Sequence, residues 1–188
     1  MTKYIIREAR KEDAEKVLEY TKIVGGQTNN LTFGSEGLNL TVDEEENILE
    51  NIYNSDKSIF LLTCLNDEII GLGNISAKTR NRMNHKAVLG ISIKKEFWGQ
   101  GIAQELMAKL IEFSNESGLE IIELTVRSDN ERAINLYKKF DFIKTGIIPQ
   151  DMKIDGEYFD TDYMVLDLRE TNKKYEERWL EKLGKKMH

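Results

Sequence analysis

The chain has 188 residues, 40% hydrophobic and 32% charged, which fits one domain with room for a real core. Its net charge of −6 argues against nucleic acid, whose phosphates call for a basic patch. No apolar run approaches the roughly 20 residues of a membrane span, Met1–Arg7 is charged too early for a signal peptide, and Cys64, the single cysteine, has no internal disulfide partner, so a cytoplasmic protein without membrane contact is expected.

Tyr4 to Arg7 reads as a short strand. Lys11 to about Val24 places Ala14, Val17, Leu18 and Thr21 at helical spacing, and Gly25-Gly26 is expected to end that helix. A polar, irregular stretch from Gln27 to Leu40 follows. Thr41-Val42-Asp43-Glu44 is a capping box for a second helix to about Tyr53. Ser58 to Leu65 and Ile69 to Ala77 form a hairpin through Asn66-Asp67-Glu68, and Lys78 to Asn84 is an exposed basic loop. His85 to Lys94 alternates Ala87, Leu89, Ile91 and Ile93 as a further strand.

Gly101 to Ser117 is the clearest helix, with Ile102, Leu106, Met107, Leu110, Ile111 and Phe113 on one face and Gly118 as its C-terminal cap. Leu119 to Val126 is a strand and Asn130 to Phe140 a short helix. Phe142 to Lys153 and Glu157 to Leu168 are strands joined at Asp155-Gly156. The order β-α-α-β-β-β-α-β-α-β-β predicts an α/β (α+β) fold with a mixed sheet of about seven strands, and a right-handed parallel crossover from His85 to Val126. The domain is expected to span 1–168. In the tail, 169–188, Tyr175, Trp179 and Leu183 make a narrow amphipathic stripe. It is read as docking on its own domain, with a homodimer contact as the alternative.

Two stretches carry chemistry. The first runs from Ile91 to Ala103, where a strand turns through Gly99 and Gly101 into the long helix. A helix start offers unpaired N–H groups and a positive dipole end, and so attracts phosphate. Glycines let the backbone approach an anion closely and take positive φ. No Gly-Lys-Ser/Thr follows, and the third glycine of a dinucleotide fingerprint is missing. On this loop alone, a glycine turn without a ligand stays equally open. The second stretch sets Asn130, Ala133 and Tyr137 at i, i+3 and i+7, with Ile134, Leu136 and Phe140 for packing. A phenol held near a leaving group can give it a proton. A tyrosine at the core edge is the commoner reading of such a residue taken singly.

With both stretches in this order, one helix and one strand apart, the chain resembles the GNAT superfamily of acetyltransferases over roughly Thr2 to Leu168. The family's phosphate loop, Arg/Gln-x-x-Gly-x-Gly/Ala, is matched by Trp98-Gly99-Gln100-Gly101-Ile102-Ala103. Its later helix, Asn-x-x-Ala-x-x-x-Tyr-x-Lys-x-Gly-Phe, is matched from Asn130 through Phe142. Trp98 departs from the Arg or Gln, and Asp141 from the Gly. Asp is among the better non-glycine choices for a left-handed site.

The resemblance implies a GNAT fold with a splayed parallel pair, Ala87–Ile93 beside Leu119–Val126. It implies direct transfer of acetyl from acetyl-CoA to a primary amine of a small molecule or a peptide N-terminus. Cofactor contacts are then expected from Ile91, Ser92 and Ile93, from Trp98, Gly99, Gln100, Gly101, Ile102, Ala103 and Gln104, and from Asn130, Ala133 and Tyr137. Asn130 and Tyr137 are the expected catalytic pair, Asn130 bonding the cofactor chain and Tyr137 protonating the departing thiolate. The acceptor pocket is expected from Gln27 to Leu40 and Pro149 to Tyr163, with Phe33, Glu36, Tyr158 and Asp160 as binding residues beside Phe159. Glu36, Glu123, Glu157 and His85 stay open as the base that takes the amine's proton. No metal is implied. A non-catalytic acyl-CoA-binding sensor is the alternative, though a pure binder has less need of the phenol. An unrelated α/β protein whose glycines are only turns is a third reading.

Overall fold

The computed structural model describes residues 4–169. β1 (Ile5–Glu8) leads through a 3-10 turn at Lys11–Asp13 into α1 (Ala14–Gln27), and α2 (Val42–Tyr53) follows. Next come β2 (Ile59–Leu65), β3 (Glu68–Ala77), β4 (Lys86–Ile93), a 3-10 turn at Lys95–Phe97 and α3 (Ile102–Glu116). β5 (Ile121–Arg127), α4 (Glu131–Lys139), β6 (Ile143–Ile154) and β7 (Glu157–Asp167) complete the described chain. The elements stand in the order read from the sequence. Their seven strands form one sheet ordered β1-β2-β3-β4-β5-β7-β6. β4 and β5 are parallel neighbours, joined across α3, and the other pairs are antiparallel.

Local chemistry accounts for the boundaries. Asn66 and Asp67 both take positive φ, 48° and 66°, the conformation a two-residue hairpin turn requires. At the start of α2, the Thr41 hydroxyl accepts from Glu44 N–H at 3.2 Å while the Glu44 carboxylate accepts from Thr41 N–H at 2.8 Å. Asp141, where the family has glycine, is left-handed at φ 65°.

One boundary differs from the sequence reading. α1 does not stop at Gly25-Gly26 but runs on to Gln27. A Cβ on Gly25 would lie 1.9 Å from the carbonyl oxygen of Gly34. The glycine is therefore a seat for the following loop rather than a helix stop, and the helix tolerates it at a cost of about 1 kcal/mol.

Helices cover both faces of the sheet. α3 and α4 cover one face, where Leu106, Met107, Leu110 and Tyr137 pack with Ala87, Leu89, Ile122, Leu124, Val126 and Met164. α1 and α2 cover the other, through Val17, Tyr20, Val24 and Leu49 against Leu62, Cys64 and Leu72. Cys64 is a buried thiol of β2, and burial raises its pKa, as expected of a structural cysteine. The Tyr175, Trp179 and Leu183 stripe, with its docking or dimer role, lies outside the described residues. Among the described residues, no helix is long and apolar enough to cross a membrane, and no cluster of His, Cys, Asp and Glu could hold a metal.

Candidate active site

The site begins where two strands part. β4 and β5 pair at Lys86↔Ile121, Ala87↔Ile122 and Val88↔Glu123, and there the ladder stops although both strands run on. Main-chain groups alternate sides along a strand. The Lys86 carbonyl and Lys94 N–H bond toward β3, and the His85 carbonyl bonds toward β5. Odd-numbered residues therefore turn their polar groups toward β5. Ile91 and Ile93 face the gap, where no strand pairs with them. Ser92 faces the other way, and its carbonyl accepts a bond from the buried Tyr20 hydroxyl at 2.9 Å. Burial drives the Tyr20 pKa well above the phenol range, so the hydroxyl stays a donor. Sequence periodicity gave Tyr20 no role, because a helical tyrosine carries no mark of which strand it will reach.

The glycine loop lies at the open end of the gap. Gly99 and Gly101 have φ of 78° and 85°, and a Cβ on either would meet nothing within 4 Å. The conformation explains glycine, and the open space leaves room for a ligand. Gly101 is the N-cap of α3, and its carbonyl accepts from Gln104 and Glu105 N–H. The amides of Ile102 and Ala103 precede those bonds and are the donors a phosphate finds at a helix start. The Gln104 N–H, expected on the cofactor, is turned back to Gly101 at 3.0 Å. The Gln100 side chain bonds the Glu96 carbonyl, and the Ile102 side chain is buried, so both face the loop's own fold. The Trp98 indole N–H donates to the Ile93 carbonyl at 2.7 Å. Trp98 thereby closes the end of the free edge of β4.

α4 stands beside the same gap. Asn130 is its N-cap, with the side-chain oxygen accepting Ala133 N–H at 3.2 Å. It thus precedes the helical stripe instead of starting it, and its amide NH2 group is left to donate elsewhere. Tyr137 belongs to the core cluster that holds Leu89 of β4 and Leu124 and Val126 of β5, the residues at which the strands diverge. Its ring lies 5.8 Å from that of Phe142. Burial pushes its pKa up to about 12, so the phenol keeps its proton at neutral pH.

On the opposite face, β5 turns Glu123, Thr125 and Arg127 toward α1 and α2. Thr125 is exposed in a strand otherwise buried at every position. Arg127 reaches three elements. It makes a paired contact with Asp129 at 2.9 and 2.6 Å, donates to the Asn29 carbonyl at 3.0 Å and stacks 3.8 Å over Phe159. The loop after α1 is thus tied to the end of β5 and to the β6–β7 hairpin. Arg127 and Phe159 hold this corner, and the one sequence signal for it was the charge pair two residues apart.

The expected acceptor residues are spread over the loop after α1 and the β6–β7 hairpin. Phe33 is half-buried against the α1–α2 core. Glu36 is exposed, and the Gly34 N–H that it accepts at 2.7 Å holds its pKa below the usual range. Tyr158 is 56% exposed near the hairpin tip, beneath Lys153. Asp160 accepts Gln150 N–H through its side chain and Ser128 N–H through its carbonyl. Of the four open bases, His85 sits at the closed end of the β4–β5 pair, and Glu157 starts the strand leaving the hairpin turn. Glu123 is bound by Lys86 at 2.6 Å, Lys78 at 3.1 Å and the Tyr163 hydroxyl. Burial works to raise its pKa, but these partners outweigh it and hold the carboxyl at about 2. So placed, Glu123 is a structural counter-ion and a poor proton acceptor.

A family model described as the acetyltransferase (GNAT) family matches residues 30–142. The chain is 35% identical over 105 residues to the L-amino acid N-acetyltransferase AaaT of Escherichia coli, 55% of this chain and 65% of that protein. It spans 57–65% of the length of the first curated relatives it matches. An acetyltransferase of the GNAT family from Streptococcus pneumoniae superposes with a TM-score of 0.85 at 32% identity, covering 88% of this chain and 100% of that one. The Salmonella typhimurium protein yncA, solved with its cofactor acetyl-CoA, shares the fold at a TM-score of 0.78 and 19% identity, covering 90% and 96%. The chain belongs to the GNAT family of acetyltransferases.

Proposed function

We propose that the protein is an N-acetyltransferase that moves acetyl from acetyl-CoA to a primary amine, on a small molecule or a peptide N-terminus. The observation that carries this reading is the divergence of β4 and β5 beside a helix start whose glycines leave open space. Acetyl-CoA fits what is there. The Ile102 and Ala103 amides suit its pyrophosphate, the Ile91 main chain and the Ile93 N–H suit its amide-bearing arm, and the Asn130 NH2 group is a further donor. When bound, it supplies an acetyl thioester, whose carbonyl an amine can attack.

The chain's own residues do the rest. The β4 edge and the α3 amides orient the thioester arm, and positioning of this kind supplies most of the rate gain. An Ile91 or Ile93 N–H aimed at the carbonyl oxygen stabilises charge that develops there. The Tyr137 hydroxyl, kept protonated by burial, is the proton donor for the departing sulfur. Arg127 and Phe159 hold the acceptor wall, and water at the exposed Thr125 takes the amine's proton. The relation to an L-amino acid N-acetyltransferase puts amino acids first among candidate acceptors.

The test is acetyl transfer from acetyl-CoA to a panel of amino acids, polyamines, aminoglycosides and peptide N-termini, with thermal stability followed as acetyl-CoA is added. Stabilisation with transfer to at least one amine is the expected result. Stabilisation without transfer makes the protein an acyl-CoA sensor, and no stabilisation ends the coenzyme A reading.

A further inference from the structure

We infer that Arg132, held over Trp98, is a phosphate-binding residue of the cofactor site and takes over the charge that Trp98 displaced from the loop. The inference rests on the coenzyme A reading of that site. Arg132 is the second residue of α4, and its guanidinium carbon lies 4.7 Å from the centre of the Trp98 ring. Trp98 is the loop position at which the family resemblance puts Arg or Gln. Its own ring is fixed by the bond to the Ile93 carbonyl. A rigid aromatic shelf at the mouth of the phosphate loop therefore carries a cation from a different element.

Two further facts single out this arginine. It makes no ion pair or hydrogen bond among the described residues. It also stands in the first turn of a helix, where the positive dipole end disfavours a cation. A charge kept in that place, without a carboxylate, is placed for an incoming anion. Of the two lysines before the loop, Lys94 is not available for this, since it is buried and bound to Glu68. Arginine suits the task, because its fork matches phosphate oxygens while its flat face stacks on an indole.

Coenzyme A offers phosphate in two places, the pyrophosphate and the ribose 3′-phosphate, and the same arginine chemistry reads either. The experiment measures calorimetric Kd for coenzyme A and for 3′-dephospho-coenzyme A, without turnover. It compares the parent protein with Arg132→Gln, Trp98→Ala, Trp98→Phe, the Arg132→Gln/Trp98→Ala pair and Lys95→Gln. Lys95 is an exposed lysine of the preceding turn and measures the loss of a nearby positive charge that no ring holds.

Arg132→Gln should weaken coenzyme A binding about ten-fold or more, the scale of a charge-assisted contact. Lys95→Gln should cost about two-fold or less, as for a screened surface charge. Trp98→Ala should match Arg132→Gln, the pair should lose little more than either alone, and Trp98→Phe should keep most of the affinity because it keeps a ring. A loss confined to coenzyme A assigns the 3′-phosphate, and an equal loss for both ligands assigns the pyrophosphate. An Arg132→Gln loss no larger than that of Lys95→Gln overturns the inference, as do Trp98 and Arg132 losses that multiply. If the parent protein binds neither ligand, the coenzyme A reading itself fails, a distinct result.

Discussion

The proposed cofactor side and the proposed acceptor side of this molecule are built by different means. From β4 to α4 the working groups belong to short, contiguous segments: a strand edge, two glycines, a helix start, an N-cap and a phenol two turns later. On the proposed acceptor side one guanidinium joins Asn29, Arg127 and Phe159, residues about 100 and 30 positions apart. Local backbone geometry makes the first side, so a motif records it. Long-range packing makes the second, so no motif does. The first should hold its cofactor through changes that spoil the second.

The sharpest way to break that contrast is at Tyr137. Tyr137→Phe should lower kcat about 100-fold, the lower range for loss of a general acid, with coenzyme A affinity and thermal stability near those of the parent. With the phenol at about 12, the parent's rate should show no alkaline fall from this group below roughly pH 11. Turnover unchanged by the substitution removes Tyr137 from the chemistry.

The acceptor side comes next. Gly25→Ala pushes a methyl group to 1.9 Å from the Gly34 carbonyl, so the loop must move. Arg127→Ala releases the same loop at Asn29. Each should raise KM for the amine about ten-fold while leaving KM for acetyl-CoA within two-fold, at a stability cost of roughly 1–3 kcal/mol. Equal effects on both KM values would show that the two sides are one unit.

Glu123 joins the two sides at the last paired position of β4 and β5, and it gives the contrast a pH dependence. Its folded pKa, about 2, lies below the ordinary 4.5. The carboxylate therefore stabilises the fold fully above pH 4.5 and loses that contribution as pH falls toward 2. Glu123→Gln should cost on the order of 2 kcal/mol at pH 7 and flatten stability between those two pH values. Denaturant melts across the range check both, and an unchanged acid slope refutes the ion-pair account. The smallest effect is expected at Asp141, left-handed at φ 65°. Asp141→Gly should stabilise by about 0.5–1 kcal/mol, with no change in kinetics.

How much was legible follows the same division. The strand alternation at Ala87, Leu89, Ile91 and Ile93, the Thr41 capping box and the Asn66-Asp67 turn each depend on neighbours within a few residues, and each stands where the sequence put it. Gly25-Gly26 misled because glycine does two jobs. It ends helices, and it also lets another backbone come close, and the partner that decides between them, Gly34, lies nine residues on in an unpatterned loop. Asn130 was legible as a residue of its motif, but its capping bond to Ala133 depends on where α4 starts.

By itself, then, the sequence determined the element order, the glycine turn into α3 and the family the chain resembles, and it singled out Asn130 and Tyr137 as candidates, because these rest on local backbone preferences and fixed spacing. Only the tertiary structure decided that β4 and β5 part after Val88 and Glu123, that Arg127 gathers Asn29, Asp129 and Phe159, that Glu123 is held between two lysines, and that Arg132 lies over Trp98. Those are contacts between side chains and strands far apart along the chain. Their energy depends on distance and burial, which only the folded molecule sets.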